Sequence, residues 1–304
     1  MADRTGIQWT DATWQVTYGC SVVSRGCTNC YAMRQAYRLG RMGQTQYSGL
    51  TIGSPAGPVW TGEIRLATPE QLSRPMGCKR GRRIFVDSMS DLFHDNVPDA
   101  HIEKVFAVMA ICRQHTFQVL TKRPQRMRDF LHGEPRPGIF RWINALLDDD
   151  GDIGALITLP GWPLPNVWLG VSVEDQARAD QRVPELLATP AAVRFLSCEP
   201  MLGPIDLTPI ADDIYQRPSE WYGPTGFDPT GSQPPQDRRR GWFPKIDWLI
   251  AGGESGPNRR TVSADWLRSL RDQCAAAGVP YFAKQLDKVT PLPADLQQRE
   301  FPSR

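Results

Sequence analysis

The sequence predicts an α/β fold, a partial or complete (β/α) barrel of parallel strands interrupted by two Pro/Gly-rich insertions. Three observations predict it. Short runs rich in Val, Ile and Phe recur as continuous apolar stretches, the pattern of strands covered on both faces. Helical periodicities lie between them, so strand and helix alternate as right-handed βαβ units do. The length, 304 residues, fits one barrel of roughly 250 residues carrying insertions. A doubly wound open sheet is the alternative, because periodicity does not distinguish a closed sheet from an open one.

Taken in order, the first strand is expected near Val16–Tyr18. Six more follow at Arg83–Asp87, Phe117–Leu120, Val167–Val173, Val193–Ser197, Ile246–Ala251 and Val279–Ala283. Asp99–Arg113 reads as a helix, with Ile102, Val105, Phe106, Met109 and Cys112 at helical spacing behind Asp99 as N-cap. Arg123–Leu131 and Gly138–Leu147 are further helices. Gln176–Ala188 is a weaker one, because Pro184 sits inside it. Ser263–Ala277 places Trp266, Leu267, Leu270 and Cys274 on one face, and Gly278 stands where a left-handed C-terminal residue belongs. The rhythm breaks at residues 133–165 and 209–244, both rich in proline. Loops this long are commonly lids, binding loops or disordered insertions. Residues 1–287 therefore read as a single barrel-like domain and 288–304 as a C-terminal tail.

Apolar residues make up 40% and charged ones 22% of the chain, which excludes global disorder. Lys and Arg number 35 against 33 Asp and Glu, so a nucleic-acid partner requires local basic patches. The candidates are Lys122–Arg128 on the expected active face, Arg238–Arg240 beside an aromatic insertion, and Lys79–Arg83, which precedes a strand and points the other way. The first twenty residues carry no apolar secretory core, and nowhere do about 18 apolar residues run together. A cytoplasmic protein without membrane contact is expected.

The seven cysteines are an odd number, and three crowd into one short segment, YGCSVVSRGCTNCY at Tyr18–Tyr31. The pair Cys27 and Cys30 has the spacing that lets one turn present two thiolates to the same metal, while the longer arm brings Cys20. Three thiolates leave a tetrahedral iron or zinc one ligand short, and an open position suits a catalytic metal. Two other readings stand beside an iron–sulfur cluster. One is a zinc site completed by Cys78, His94 or Cys198; the other is three ordinary thiols in a loop.

A three-cysteine loop followed by an aromatic at Tyr31 and an α/β repeat resembles the radical S-adenosylmethionine enzymes, although six residues in the first gap exceed the commoner three. The closer resemblance is to a phage- and prophage-associated family of radical-SAM-like proteins. It is carried by IQWTDATW (Ile7–Trp14), GC and GCTNCYA (within Gly19–Ala32), DSMSDLFHDNVP (Asp87–Pro98), FQVLTKRPQRM (Phe117–Met127), NVWLGVSVEDQ (Asn166–Gln176), RFLSCEPMLGPIDL (Arg194–Leu207) and IAGGESG (Ile250–Gly256). The chain departs from that pattern at Gln15-Val16, at Met33 and at Leu286-Asp287.

Chemistry in a parallel barrel gathers at the C-terminal strand ends, and these ends are polar here: Ser88 and Asp91, Lys122 and Arg123, Ser172 and Glu174, Cys198 and Glu199, then Gly252, Gly253 and Glu254. The resemblance implies a [4Fe-4S] cluster on Cys20, Cys27 and Cys30, S-adenosylmethionine as second cofactor, and an electron donor of reductase or flavodoxin type. It implies further that Ser88 and Asp91 hold the methionine amino group, Lys122 or Arg123 its carboxylate, and Ser172 or Glu174 the ribose. Gly252 and Gly253 would admit adenine or substrate closely, with Glu254 beside them. Cys198 is the candidate hydrogen donor to a substrate radical, next to Glu199, with a buried small hydrophobe as its alternative. The expected reaction modifies or repairs nucleic acid or a nucleotide. Competing expectations are a zinc-stabilised nucleic-acid-binding module and a metal-independent hydrolase built on Asp91, Glu199 and Glu254.

Overall fold

The computed structural model describes residues 5–147, 159, 161–208, 246–256 and 258–303. The N-terminal third contains β1 (Ala12–Trp14), β2 (Thr17–Tyr18), α1 (Tyr31–Arg41), β3 (Thr51–Ile52), β4 (Val59–Trp60), β5 (Arg65–Leu66) and α2 (Pro69–Ser73). The alternation then begins: β6 (Arg83–Val86), α3 (Asp99–Ile111), β7 (Thr116–Thr121), α4 (Pro124–Leu131), α5 (Pro137–Leu147) and β8 (Val167–Ser172). It closes with α6 (Gln176–Leu187), β9 (Val193–Cys198), β10 (Trp248–Gly252), α7 (Ala264–Ala277) and β11 (Tyr281–Gln285).

One seven-stranded parallel sheet runs in the order β1-β6-β7-β8-β9-β10-β11. A doubly wound sheet reverses its order part-way and sends helices to both faces. Here the order never reverses, so every crossover turns the same way and the helices share one face. The sheet curls into a half-barrel, with β1 and β11 as its separate edges. Two antiparallel pairs, β2 with β5 and β3 with β4, lie outside it. Among the described residues, no helix is long and apolar enough to cross a membrane.

The first barrel strand is Ala12–Trp14, not the expected Val16–Tyr18. Asp87 explains the shift. At the end of β6 its carboxylate accepts from the Val16 and Thr17 amides at 2.8 and 2.9 Å and from the Thr17 hydroxyl at 2.7 Å. Those amides are thereby withdrawn from the parallel ladder, and Thr17–Tyr18 pairs with β5 instead. Burial pushes the Asp87 carboxyl up to about 7, against the three hydrogen bonds that lower it. A folded pKa above the unfolded value means that the native state holds the proton more tightly. The group's stabilising contribution is complete below about pH 4 and is lost as pH rises through 7. Asp87→Asn retains the acceptor oxygen and removes this dependence. Urea midpoints between pH 4 and 8 are expected to fall less for the variant than for the parent, and equal slopes would refute the assignment.

Strand pleating sorts the core into two layers. Ile84, Val86, Phe117, Val119, Leu169, Val171, Leu196, Cys198, Leu249 and Ala251 face the helices. Phe85, Trp168, Phe195, Trp248, Ile250 and Phe282 face the concave side, where Trp9 joins them. Trp248 is the hub of this aromatic plug, 5.2–6.2 Å from the rings of Phe301, Phe195, Trp168, Phe282 and Trp9. Beside it the Phe195 ring lies flush on the backbone of β8, and a Cβ at Gly170 would stand 2.5 Å from two ring carbons. Gly170→Ala is expected to cost about 1–3 kcal/mol by overpacking, read as a lower urea midpoint at unchanged m-value. A variant as stable as the parent would show that the ring yields freely.

Helix boundaries follow their caps. Ser263 caps α7, and Gly278 ends it at φ 71°. The helix from Asp99 instead has Pro98 at its N-cap position without a side-chain cap, and the Asp99 carboxylate turns to Arg126 and Arg136 at 3.1 and 2.9 Å. The first Pro-rich insertion contains α5; residues 148–158 and the insertion at 209–244 lie outside the described residues. Within 288–303 the chain returns beside β11, with Ala283 donating to Gln298 at 2.9 Å and Glu300 to Tyr281 at 3.0 Å. Phe301 thereby reaches the aromatic plug.

Candidate functional site

Parallel strands deliver all their C-terminal ends to one mouth, and the cysteine segment crosses it. Gly19 opens the segment at φ +96°, so close to the connection between β4 and β5 that a Cβ would stand 2.1 Å from the Glu63 carbonyl oxygen. It bridges to Ser90 in the loop after β6. A 3-10 turn at Arg25–Cys27 follows, and the Cys30 amide donates to the Cys27 carbonyl at 3.2 Å before α1 begins. Cys20, Cys27 and Cys30 are free thiols, with Cys27 buried and the other two half-buried.

Three carboxylate–arginine pairs from three strand ends grip this segment. After β6, Asp91 pairs with Arg123 at 2.9 Å, and Arg123 donates to the Ser21 hydroxyl at 2.6 Å and lies 3.9 Å from the Cys20 sulfur. After β8, Glu174 pairs with Arg182 at 3.0 Å and accepts from the Ser24 hydroxyl. After β10, Glu254 pairs with Arg260 and accepts from the Asn29 amide at 2.9 Å. Arg260 donates onward to the Arg25 carbonyl at 3.0 Å. Burial raises the Glu174 carboxyl, but Lys122 and Arg182 outweigh it and hold it below the usual range. Burial likewise raises Glu254, and its hydrogen bonds from Arg260 and Asn29 bring it below.

These contacts change the expected roles of four residues. Asp91 accepts from Thr121, Phe93, Lys122 and Arg123, two bonds to each oxygen, so it has no lone pair left for a methionine amino group. Arg123, Glu174 and Glu254 are likewise occupied in positioning the cysteine segment. A Cβ at Gly253 would meet the Leu286 carbonyl at 2.1 Å, and one at Gly252 would meet Glu199 at 3.0 Å. Their lack of a side chain is thus already required by the protein's own packing. Cys198 is fully buried on the helix side with Cys274 and Tyr281. Pleat parity turns it away from the mouth, so the buried-hydrophobe alternative fits and hydrogen donation does not.

What faces the mouth is a smaller polar set. Ser172 and Ser197 are register partners on β8 and β9, both with concave parity. Glu199 and Lys284 stand 2.9 Å apart, and Lys122 approaches Glu174 to 3.9 Å. Ser88 accepts the Tyr31 hydroxyl through its carbonyl. Sequence reasoning missed Ser24, Asn29, Arg182 and Arg260 as parts of the site. The Ser24 and Asn29 contacts span 150 and 225 residues, and no local pattern signals them.

The family described as "Protein of unknown function (DUF5131)" matches residues 4–299. The chain belongs to DUF5131. Neither a curated protein nor a solved structure matches it.

Basic residues of this DUF5131 chain are redistributed by the fold. In Lys122–Arg128, Arg123 is paired with Asp91, Arg126 with Asp99, and Arg128 with Asp129 and Glu185. The segment is therefore neutralised and is no phosphate patch. Arg83 pairs with Asp11 and lies over Phe301 at the opposite end from the mouth, as strand direction requires. Arg238–Arg240 lies outside the described residues. His94 reaches the Ser21 hydroxyl at 2.9 Å, and its Nδ1 accepts from the Asn96 amide. That acceptor fixes the proton on Nε2, so His94 donates to Ser21 and is no base for it.

Three free thiols in one short segment of the DUF5131 mouth are the donor set that a thiolate-ligated metal cluster would need. Burial pushes the Cys20 thiol up to about 12, with Asp91 raising it further and Arg123 lowering it. Burial also raises Cys30, against hydrogen bonds from the Met33 and Ala32 amides that lower it. Sulfurs so placed ionise only when a nearby cation replaces the lost solvation, which a bound metal does. Among the described residues, no group of three His, Cys, Asp or Glu side chains is arranged to hold a metal ion.

Proposed function

We propose that this chain is a radical S-adenosylmethionine enzyme acting on nucleic acid or a nucleotide. The observation that carries the reading is one segment with three free thiols, clamped at three points across the C-terminal mouth of a parallel half-barrel. Cys20, Cys27 and Cys30 would hold a [4Fe-4S] cluster, which together with S-adenosylmethionine supplies a 5′-deoxyadenosyl radical. Asp91, Glu174 and Glu254, through Arg123, Ser24 and Asn29, keep the thiols in register over the mouth. Lys122 and the Lys284–Glu199 pair would meet a zwitterionic ligand by exchanging their present partners for its charges, while Ser172 and Ser197 offer hydroxyls at the next level down. Ser88 lies on the loop that borders the first cysteine. The aromatic plug beneath excludes water from the floor of the mouth.

Anaerobic reconstitution with iron and sulfide tests the reading. The parent chain is expected to develop cluster absorbance and to release 5′-deoxyadenosine when reduced with S-adenosylmethionine. Cys20→Ala, Cys27→Ala and Cys30→Ala are each expected to abolish that release. Stoichiometric zinc without iron in protein purified free of oxygen would favour a binding module instead, and turnover that survives Cys27→Ala would refute the assignment.

A further inference from the structure

No Asp or Glu occurs between Asp11 and Glu63, although the chain as a whole is nearly neutral at +2. The charges within that stretch are Arg25, Arg34, Arg38 and Arg41. The fold places all four around or leading away from the cysteine mouth. Arg25 is exposed on the cysteine segment itself. Tyr31, Arg34, Arg38 and Arg41 recur at helical spacing along one face of α1, which begins directly after Cys30. The opposite face, Ala32, Met33 and Ala36, is buried. Arg34 reaches the loop after β10, its Nη1 4.0 Å from the Cβ position of Gly256. Arg25, Arg38 and Arg41 have no carboxylate partner among the described residues. Elsewhere on the chain Arg83, Arg126, Arg128, Arg182, Arg260, Arg268 and Arg271 are all paired with carboxylates.

We infer that the exposed face of α1 is a track for single-stranded nucleic acid, along which the phosphates run while one base stacks on Tyr31 at the rim. This rests on the reading that the mouth takes a nucleotide, and it names the substrate as a polymer rather than a free nucleotide. Three reasons favour that partner. Successive arginines on this face are about 6 and about 4.5 Å apart along the helix axis, a spacing suited to consecutive phosphates of one strand. Tyr31 is 48% exposed, and an exposed ring in line with the guanidinium groups of Arg38 and Arg41 is the arrangement that holds unstacked bases without reading their identity. A single strand also brings its base to a recessed mouth without the unpairing that a duplex demands.

The test is fluorescence anisotropy of the purified full-length chain with a labelled oligothymidylate of roughly 20 nucleotides, in the absence of reductant and S-adenosylmethionine. Arg38→Glu combined with Arg41→Glu is expected to weaken binding at least 10-fold. It should also reduce the slope of log affinity against log salt by about 1.4, the loss of two phosphate contacts. Tyr31→Ala is expected to weaken binding about 5-fold or more at unchanged salt slope, and Tyr31→Phe to bind as the parent does. Arg141→Glu, an exposed charge on α5, is the control and should change affinity less than 2-fold. The inference is overturned by no binding at low salt, by an unaffected double variant, or by an equal loss in the Arg141 control. Equal affinity for the matching duplex, or competition by free thymidine triphosphate at the same concentration, would overturn it as well. A chain that binds the oligonucleotide through α1 but releases no 5′-deoxyadenosine would leave the track standing and remove only the radical chemistry.

Discussion

Glu174→Ala is expected to destabilise the chain by about 3–5 kcal/mol, because it strands a guanidinium. The side chains of Glu174 and Arg182 are 0% and 3% exposed, so neither has water to fall back on. Removing the carboxylate leaves Arg182 buried with the Ser172 carbonyl, at 2.8 Å, as its remaining acceptor. Ser24 is released in the same stroke, and with it the middle of the cysteine segment. Gly26 sits so close that a Cβ there would be 2.9 Å from the Glu174 carboxyl carbon, which shows how tightly that carboxylate fills its place. Two readouts separate the effects. Urea unfolding reports the stranded charge, and the double change Glu174→Ala with Arg182→Met should recover much of the loss, since an apolar pair has no charge to solvate. Iron bound after reconstitution reports the loop, and should stay low in the double variant. A double variant that regains both would show that Glu174 stabilises the fold without positioning the thiols. At the more exposed Glu254–Arg260 pair, stability should change less while bound iron falls in the same way.

Trp248→Ala is expected to cost about 3–5 kcal/mol, the range for removing a large aromatic from a core that relaxes only partly. Trp248 is fully buried and is the ring on which Trp9, Trp168, Phe195, Phe282 and Phe301 converge. Its indole donates to the Glu300 carbonyl at 2.8 Å, so the substitution also loosens the C-terminal segment beside β11. Denaturant unfolding gives the magnitude. Amide exchange should show the largest loss of protection at residues 281–283 and 298–301, where the ladder depends on that anchor. A loss below about 1 kcal/mol, or one spread evenly over the sheet, would mean that the plug does not organise the half-barrel floor.

The two variants probe opposite ends of the same strands, and the contrast explains what was legible beforehand. Polar residues at the strand ends were visible, because direction follows from a parallel βαβ repeat. Their roles were not. Asp91, Glu174 and Glu254 looked like ligand contacts because a carboxylate at a strand end carries no mark of its partner. Each instead found an arginine and a piece of the cysteine segment. Cys198 and Glu199 are adjacent in sequence, yet only the second faces the mouth, since neighbouring residues on a strand point to opposite sides. The Lys122–Arg128 run read as positive because composition counts charges before they are paired.

The amino-acid order by itself determined the local elements, their alternation, and the gathering of three thiols in one short segment, because each rests on interactions between near neighbours. It also determined the acid-free stretch that makes α1 basic. Only the tertiary structure decided that the sheet is a singly wound half-barrel, that Asp87 diverts the first strand, and that three distant carboxylates hold the cysteines. The physical reason is that periodicity encodes how much of a side chain is covered, whereas which group covers it is settled when strands remote in sequence take neighbouring places in the sheet.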